Sequence, residues 1–411
     1  MALNYIWLGF FVVAFVVALI KLIFFGDVEV FKTIVEGIFD SAKVAVMDIA
    51  LPLAGVMTFF LGLLNIAEKG GAINFLARII GPFFNKLFPE VPANHPANGQ
   101  MIMNFSANML GLDNAATPFG LKAMASLQEL NPDKDTATNA QIMFLVLHTS
   151  GLTIIPLSIM AQRAILGAQN PADIFIPCLI GTYVTTIFSV VLVAMRQRIN
   201  LLNSTVLGWF GGITAFLGLA LWYLSGLPKE EIEQISKVVG NVLLLSIIVG
   251  FLAAGIRKKV NLFETFIEGA KSGFETSVRI IPYLCGMLVA IGMFRNAGAM
   301  DALVGGLKYL FSLTGINTDF ADALPVALMK PLSGSGARAL MIDAMKQYGP
   351  DSFVGRLVCI FQGSADTTFY IVALYFGSVG IKNSRYAITV GLIADFFGVL
   401  AGIALGYLFF H

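Results

Sequence analysis

The chain repeats itself. Residues 30–38 read VFKTIVEGI and residues 262–270 read LFETFIEGA, so Phe31, Thr33, Glu36 and Gly37 are matched by Phe263, Thr265, Glu268 and Gly269. The matches continue in one order. Gly71 and Ala72 answer Gly298 and Ala299, and Pro132 and Asp133 answer Pro350 and Asp351. Ser150 and Thr153 answer Ser364 and Thr367, and Leu179 and Ile180 answer Leu392 and Ile393. Several weak matches in one order are harder to reach by chance than one strong match. The repeat constrains the fold because the recurring segments are apolar. Two similar membrane-embedded halves are a common ground plan of secondary transporters, with a site where the halves meet.

Composition decides the solvent. The chain is 57% hydrophobic and 12% charged, with a mean hydropathy of +0.82. Soluble domains carry about 25% charged residues, so these charges are too few to cover a water-facing surface. Bilayer-spanning helices need ~20 mostly apolar residues. Runs at 6–25, 44–66, 142–166, 174–195, 205–224, 238–256, 280–294, 357–379 and 386–410 fit that demand. The expected fold class is an all-α polytopic integral membrane protein of about nine full spans, built from two inverted repeats with re-entrant or broken helices. The first run has no basic residue before it and no small-x-small cleavage site after it, so it reads as a retained helix with Lys21 snorkelling toward an interface. Cys178, Cys285 and Cys359 lie far apart in apolar runs and suggest neither a disulfide framework nor a metal site. A net charge of +1 argues against a nucleic-acid partner.

Lys and Arg beside the spans set an orientation. Arg196 and Arg198, then Arg257, Lys258 and Lys259, mark two cytoplasmic ends. The loop 226–237 between them holds more acid than base and fits the outside, as does the Lys- and Arg-free stretch 167–173. Lys69, Arg78, Lys382 and Arg385 then fall inside, with the N-terminus cytoplasmic and the C-terminus outside. This threading puts Glu36 outside and Glu268 inside, so the halves are inverted. A single extra helix over 203–225 flips the second copy. The expected organisation is a first repeat at 1–198, a connecting helix and outer loop at 199–237, and a second repeat at 238–411. Glu36 and Glu268 sit in short amphipathic stretches that read as interfacial helices, where a carboxylate stays solvated.

Four segments break the pattern of clean spans. Residues 98–124 and 323–345 each hold a short apolar run, then a cluster of Gly, Pro, Ser or Asn, then a renewed helix former. Such backbone is tolerated at membrane depth only where protein or a water-filled cavity surrounds it. It reads as a re-entrant hairpin or a pair of half-helices, whose N-termini present free N–H groups to a ligand. The other two breaks fall within long spans: 147–156 with His148, Thr149, Ser150, Thr153 and Pro156, and 361–370 with Gln362, Ser364, Asp366, Thr367 and Thr368. A mid-bilayer carboxylate costs ~2.5–3.5 kcal/mol on insertion scales unless paired or hydrated. Asp366 therefore needs a reason, as do Asp113, Lys330 and Arg338. Lys330 or Arg338 is expected to pair with a carboxylate, with Asp366 first and Asp113 or Asp343 as alternatives.

Two readings of these groups stand side by side. Ser and Thr in membrane helices often bond the carbonyl one turn back, Asn108 and Asn114 suit helix caps, and the charges suit structural ion pairs. His148 suits either a hydrogen-bonding core residue or a proton carrier. The recurrence of polar breaks at matching places in both repeats favours a binding site. Its expected members are Asn108, Asp113, Asn114, Thr117, Thr149, Ser150 and Thr153 from the first repeat. Ser333, Ser335, Arg338, Gln362, Ser364, Asp366 and Thr367 come from the second. His148 and Asp366 are the candidates for ion coupling. No nucleophile elbow, zinc spacing, Walker loop or dinucleotide fingerprint is present, which argues against an enzyme. Without an ATP site, transport would run on a gradient, with sodium or a proton as coupling ion and no other cofactor.

At these residues the chain resembles a known family. NMLGLDNAATPFGLKAMASLQELNP (108–132) resembles spore maturation protein A. PLSGSGARALMIDAM (331–345), GPDSFVGRL (349–357) and QGSADTTFYIVALYFGSVGIKNSRYA (362–387) resemble spore maturation protein B. The chain looks like a fusion of the two, A then B, each with a Gate or nucleoside-recognition domain. That domain is similar to parts of concentrative nucleoside transporters and of the ferrous iron transporter membrane region. In the former, paired hairpins and broken helices hold a nucleoside and a sodium ion. The resemblance places hairpin tips or unwound turns at 108–117 and 333–338, and it implies the bacterial cytoplasmic (inner) membrane. The expected function is gradient-driven transport of a small polar or charged solute. The alternatives are a channel, a solute-sensing receptor, or a flippase gripping a lipid phosphate with Lys330 and Arg338. The expected partners are the solute, the bilayer and a second copy of the chain.

Overall fold

The computed structural model describes residues 2–110 and 113–411; the side chains at 2–4, 113–115, 225, 229, 230, 233, 236, 237, 279 and 280 lie outside that description. The described chain is helical throughout, with one isolated bridge pairing Thr136 with Asn383. The first repeat runs α1 (Ala2–Phe25), α2 (Val30–Lys43), a π-helical stretch (Val44–Ala50), α3 (Leu51–Lys69) and α4 (Ala72–Leu87). It continues through α5 (Pro96–Met109), α6 (Asp113–Glu129), α7 (Asn139–Ser150), α8 (Leu157–Ile165) and α9 (Phe175–Gln197). A short α10 (Ser204–Val206) and α11 (Gly212–Ser225) follow. Then come α12 (Lys229–Arg257), α13 (Leu262–Asn296), α14 (Ala299–Ser312), α15 (Leu324–Met329), α16 (Gly334–Tyr348), α17 (Phe353–Gly363), α18 (Thr368–Ser378) and α19 (Ala387–Phe410).

The element order repeats. A long helix reaches a glycine in the left-handed region, Gly71 at φ 87° and Gly298 at φ 84°, and that glycine opens α4 and α14 respectively. A side chain is strained in this conformation, which accounts for glycine at both places. Each repeat then holds a helix pair interrupted by a break (α5/α6 and α15/α16), a second interrupted pair (α7/α8 and α17/α18), and a closing long helix (α9 and α19).

Among the described residues, eight helical stretches are long and apolar enough to cross a membrane. The expected span at 142–166 is missing from them because the chain breaks between α7 and α8. Gly151 takes φ 57° at the end of α7, and Pro156 precedes the restart. The two amphipathic stretches are not separate interfacial helices. α2 runs through the π-helical stretch into α3 as one 40-residue helical run, and α13 is continuous over 35 residues. No Gly or Pro stands between Ile38 and Leu51 to stop the first.

The chain forms two compact units that cut across the repeats. Unit 1 is Met1–Leu61, Ser158–Pro171 and Ala270–Gln362, and unit 2 is Gly62–Leu157, Ala172–Gly269 and Gly363–His411. The chain leaves one unit for the other beside the two breaks, so α7 and α18 belong to unit 2, and α8 and α17 to unit 1. In unit 1, Ala14 and Ala18 pack on Val30, Ile34 and Ala297. Gly273 of α13 lies so close to α3 that an added Cβ would sit 2.5 Å from the Met57 carbonyl oxygen. Such small-residue seams are how helices associate in lipid, where apolar burial drives little. Unit 2 has a core around Phe84, Phe105, Met124, Phe144 and Tyr375. In it α9 and α19 run antiparallel, with Phe188 stacked on Phe397 at 4.1 Å. The span Ser204–Leu224 is the least buried, as suits a helix facing lipid.

Candidate functional site

The polar centre of unit 2 gathers on the last turn of α7. A capping box starts this helix: Thr138 accepts from the Gln141 backbone N–H, and the Gln141 side chain accepts from the Thr138 N–H. Ten residues after the cap, the register delivers His148 into the core at 5% exposure. Its Nδ1 lies 2.8 Å from Asn108 Nδ2, 3.1 Å from Asn104 Oδ1 and 3.3 Å from the Tyr375 hydroxyl. Asn104 and Asn108 share one face of α5, one turn apart. Asn104 also donates to the Ala116 carbonyl at 2.7 Å, tying α5 to α6. Tyr375, from α18, meets the His148 ring edge to face at 4.9 Å. Gly120 makes room for it, since a Cβ there would lie 2.0 Å from the tyrosine hydroxyl oxygen.

His148 Nε2 points the other way, to Asp366 Oδ2 at 3.8 Å. That distance is within ion-pair range and longer than a hydrogen bond. The Asp366 carboxylate is 46% exposed beside the buried ring. Backbone fixes it: its N–H donates to the Thr149 carbonyl at 2.8 Å, and its Oδ1 accepts from the Thr367 N–H at 2.7 Å. A Cβ on Gly151 would sit 3.1 Å from the Asp366 nitrogen. The end of α7 and the start of α18 thus meet backbone to backbone, and their polar side chains converge.

The expected residues divide as follows. Asn108, His148 and Asp366 come together in unit 2. Thr149, Ser150 and Thr153 are beside them, but their hydroxyls donate to Val146, Leu147 and Gly151 carbonyls. Those donors are committed, and only lone pairs remain for a solute. Thr117, Ser364 and Thr367 also belong to unit 2. Asp113 and Asn114 lie outside the described side chains. Ser333, Ser335, Arg338 and Gln362 belong to unit 1. There Ser333 caps α16 by accepting from Gly336 N–H at 3.0 Å, its hydroxyl lies 3.3 Å from that of Ser335, and Gln362 Nε2 reaches the Gly334 carbonyl at 3.5 Å.

Two of the expected carboxylates have other partners. Asp366 faces His148, and Asp343 is held by both Arg295 Nε, at 2.9 Å, and Arg295 Nη2. Neither pair involves Lys330 or Arg338, and Asp113, the other carboxylate expected to pair with them, lies outside the described side chains. Asn104, Tyr375 and Arg295 were not among the expected residues. Asn104 was legible, one turn before Asn108; Tyr375 carries no local signal.

Broken helices in two matching element sets, with a buried histidine and a half-exposed carboxylate at one break, define a polytopic membrane protein of the transporter-like class. The Gate model, described as nucleoside recognition, matches residues 50–166 and 277–382. The chain belongs to this family. Each matched segment carries one repeat's two interrupted helix pairs. Spore maturation protein B of Bacillus subtilis (strain 168) is 49% identical over 164 residues, 40% of this chain and 90% of that protein. Spore maturation protein A of the same organism is 36% identical over 189 residues, 46% of this chain and 92% of that protein. The two matches cover different parts of the chain, as in a fusion. No solved structure matches.

Proposed function

We propose that the protein is a gradient-driven secondary transporter of a small polar or charged solute. The observation that carries this reading is the convergence of Asn108, His148 and Asp366 where α7 ends and α18 begins. Polar groups on interrupted helices recognise solutes in transporters because broken backbone exposes N–H and C=O groups that a continuous helix consumes. In this reading Asn108, His148 and Asp366 contact the solute, and Asn104 and Tyr375 orient the imidazole. Ser333, Ser335, Arg338 and Gln362 form the matching polar set of the second repeat. The two repeats are inverted, and the protein sits in the bacterial cytoplasmic membrane with its N-terminus inside and its C-terminus outside. The flanking Lys and Arg support that threading.

The family description makes nucleosides the first solutes to test. The purified protein, reconstituted in liposomes, is offered labelled nucleosides, amino acids and small anions under an imposed sodium or proton gradient. Accumulation against the solute's own gradient, lost in Asp366→Asn, is the expected result. Ion conductance without saturable uptake would establish a channel instead. Saturable binding without flux would establish a receptor.

A further inference from the structure

Two arginines meet one tyrosine where α9 ends and α19 begins. The side chain of Gln197, the last residue of α9, donates at 2.9 Å to the hydroxyl of Tyr386, the residue before α19. The two helices therefore end at one level. The Arg385 guanidinium lies over the Tyr386 ring, 5.2 Å from its centre, and that of Arg196 lies 5.7 Å from it. Both distances are within cation–π range. Arg385 also donates to the Ala137 carbonyl at 3.1 Å and to Asn139 Oδ1 at 3.0 Å. Lys382, on the same connection, is paired with Asp135. Among the described residues neither arginine is paired with a carboxylate. Glu90 accepts from Asn139 Nδ2 at 2.7 Å and not from an arginine.

These side chains line a cleft of about 630 Å³, with Leu192, Thr389 and Val390 as its other walls, all in unit 2. The lining joins two cations and the exposed Thr389 to aliphatic side chains. From Thr389 one exposed face of α19 continues through Ile393, Phe396 and Leu400, each about one turn from the last. Both helices are long and apolar enough to cross a membrane. The arginines therefore stand at span ends, the depth of lipid headgroups. Two cations without carboxylates beside an exposed apolar strip fit a ligand with a negative head and a hydrocarbon tail. A soluble anion would use the arginines and leave the strip uncovered.

We propose that this cleft binds an anionic phospholipid of the surrounding membrane. Arg196 and Arg385 face its phosphate, the Thr389 hydroxyl donates to a headgroup oxygen, and an acyl chain runs along Ile393, Phe396 and Leu400. Basic pockets between spanning helices take anionic headgroups in this way. Guanidinium suits phosphate because its N–H groups form a planar fork. Arg385 holds the start of α7 through Ala137 and Asn139, so an occupied cleft braces the helix that ends at His148. The site rests on the geometry of unit 2 and not on the transporter reading.

The test titrates lipid into the purified full-length protein in a neutral detergent and reads the thermal midpoint, which a ligand of the native state raises. Dioleoyl phosphatidylglycerol should give a saturable rise. Phosphatidylcholine with the same chains, inorganic phosphate and glycerol phosphate should give none. Arg196→Gln should need about fivefold more phosphatidylglycerol for the same rise, the loss of one cation at a membrane surface. Adding Arg385→Gln should abolish the rise. Arg196 makes no hydrogen bond among the described residues, so its single variant decides the matter if the double variant fails to fold. Arg257→Gln, which removes an exposed arginine at the end of α12, should change nothing. No phosphatidylglycerol-specific rise in the wild type would overturn the site, as would an undiminished rise in Arg196→Gln. An equal loss in Arg257→Gln would make the attraction diffuse and overturn the cleft as its seat. An equal rise with inorganic phosphate would make this a soluble-anion site and overturn the lipid.

Discussion

Arg163 and His148 are both buried bases facing a carboxylate, and they are built to opposite ends. Arg163, in unit 1, is fully buried, and its guanidinium reaches Asp351 Oδ1 at 3.0 Å as well as the Pro350 and Asn170 carbonyls. Asp351 accepts in turn from the Gln169 N–H at 2.9 Å. The charge is answered there by a carboxylate, with two carbonyls beside it. His148, in unit 2, crowds three polar groups around one ring nitrogen and leaves the other 3.8 Å from a half-exposed carboxylate. The first arrangement locks the turn after α8 to the start of α17. The second holds the imidazole and the carboxylate within ion-pair range but short of a hydrogen bond, with the carboxylate half-exposed. A buried basic side chain is common to both; the open side of Asp366 is what the transporter reading uses.

The sharpest way to break this contrast is to remove Arg163. Arg163→Met keeps the length and apolar stem but leaves Asp351 without its cation. Breaking one side of a buried pair costs about 3–5 kcal/mol. The thermal or denaturant midpoint should fall accordingly. A fall under ~1 kcal/mol would show that the Arg163 cluster is not structural.

Asp366→Asn should do the reverse. Asparagine keeps an oxygen to accept the Thr367 N–H, and the half-exposed charge contributes at most ~1 kcal/mol to folding. Stability should stay within that margin while gradient-driven uptake drops beyond detection in liposomes. Equal loss of stability and uptake would place this pair with Arg163 and Asp351 as a structural one.

Gly151→Ala tests the joint between α7 and α18. The substitution strains a left-handed residue, at about 1–2 kcal/mol, and brings a methyl 3.1 Å from the Asp366 nitrogen. Both a lower midpoint and slower uptake are expected, since the contact carries Asp366. Loss of stability with unchanged uptake would show that the carboxylate does not depend on this joint.

How much of this was legible in the sequence follows from the range of the interactions. The repeat announced the element order, down to the paired glycines at 71 and 298, because chain breaks and caps are written locally. The breaks at 147–156 and 361–370 were legible for the same reason. The continuity of α2 into α3 was not, since an amphipathic stretch ahead of an apolar one looks alike whether the helix stops or runs on. Nor was the division into two units, which depends on packing between residues hundreds of positions apart. Asp395, a lone aspartate in the apolar run LIADFFGVL, is legible by the same mid-bilayer cost as Asp366.

The smallest expected effect comes from the hydroxyls beside His148. Ser150 donates to the Leu147 carbonyl at 2.8 Å and Thr149 to that of Val146 at 3.0 Å, bonds made within their own helix turn. Such a bond replaces no long-range contact and slightly weakens the helix it decorates. Ser150→Ala and Thr149→Val should therefore shift the midpoint by no more than about 0.5 kcal/mol and leave uptake within about twofold. Asp366 is held through the Thr149 carbonyl rather than its hydroxyl, so valine keeps that anchor. A tenfold loss of uptake in either variant, with the midpoint unmoved, would mean that these lone pairs touch the solute. The polar centre would then extend along α7 past His148, and the line between committed and available groups in unit 2 would have to be redrawn around the whole last turn.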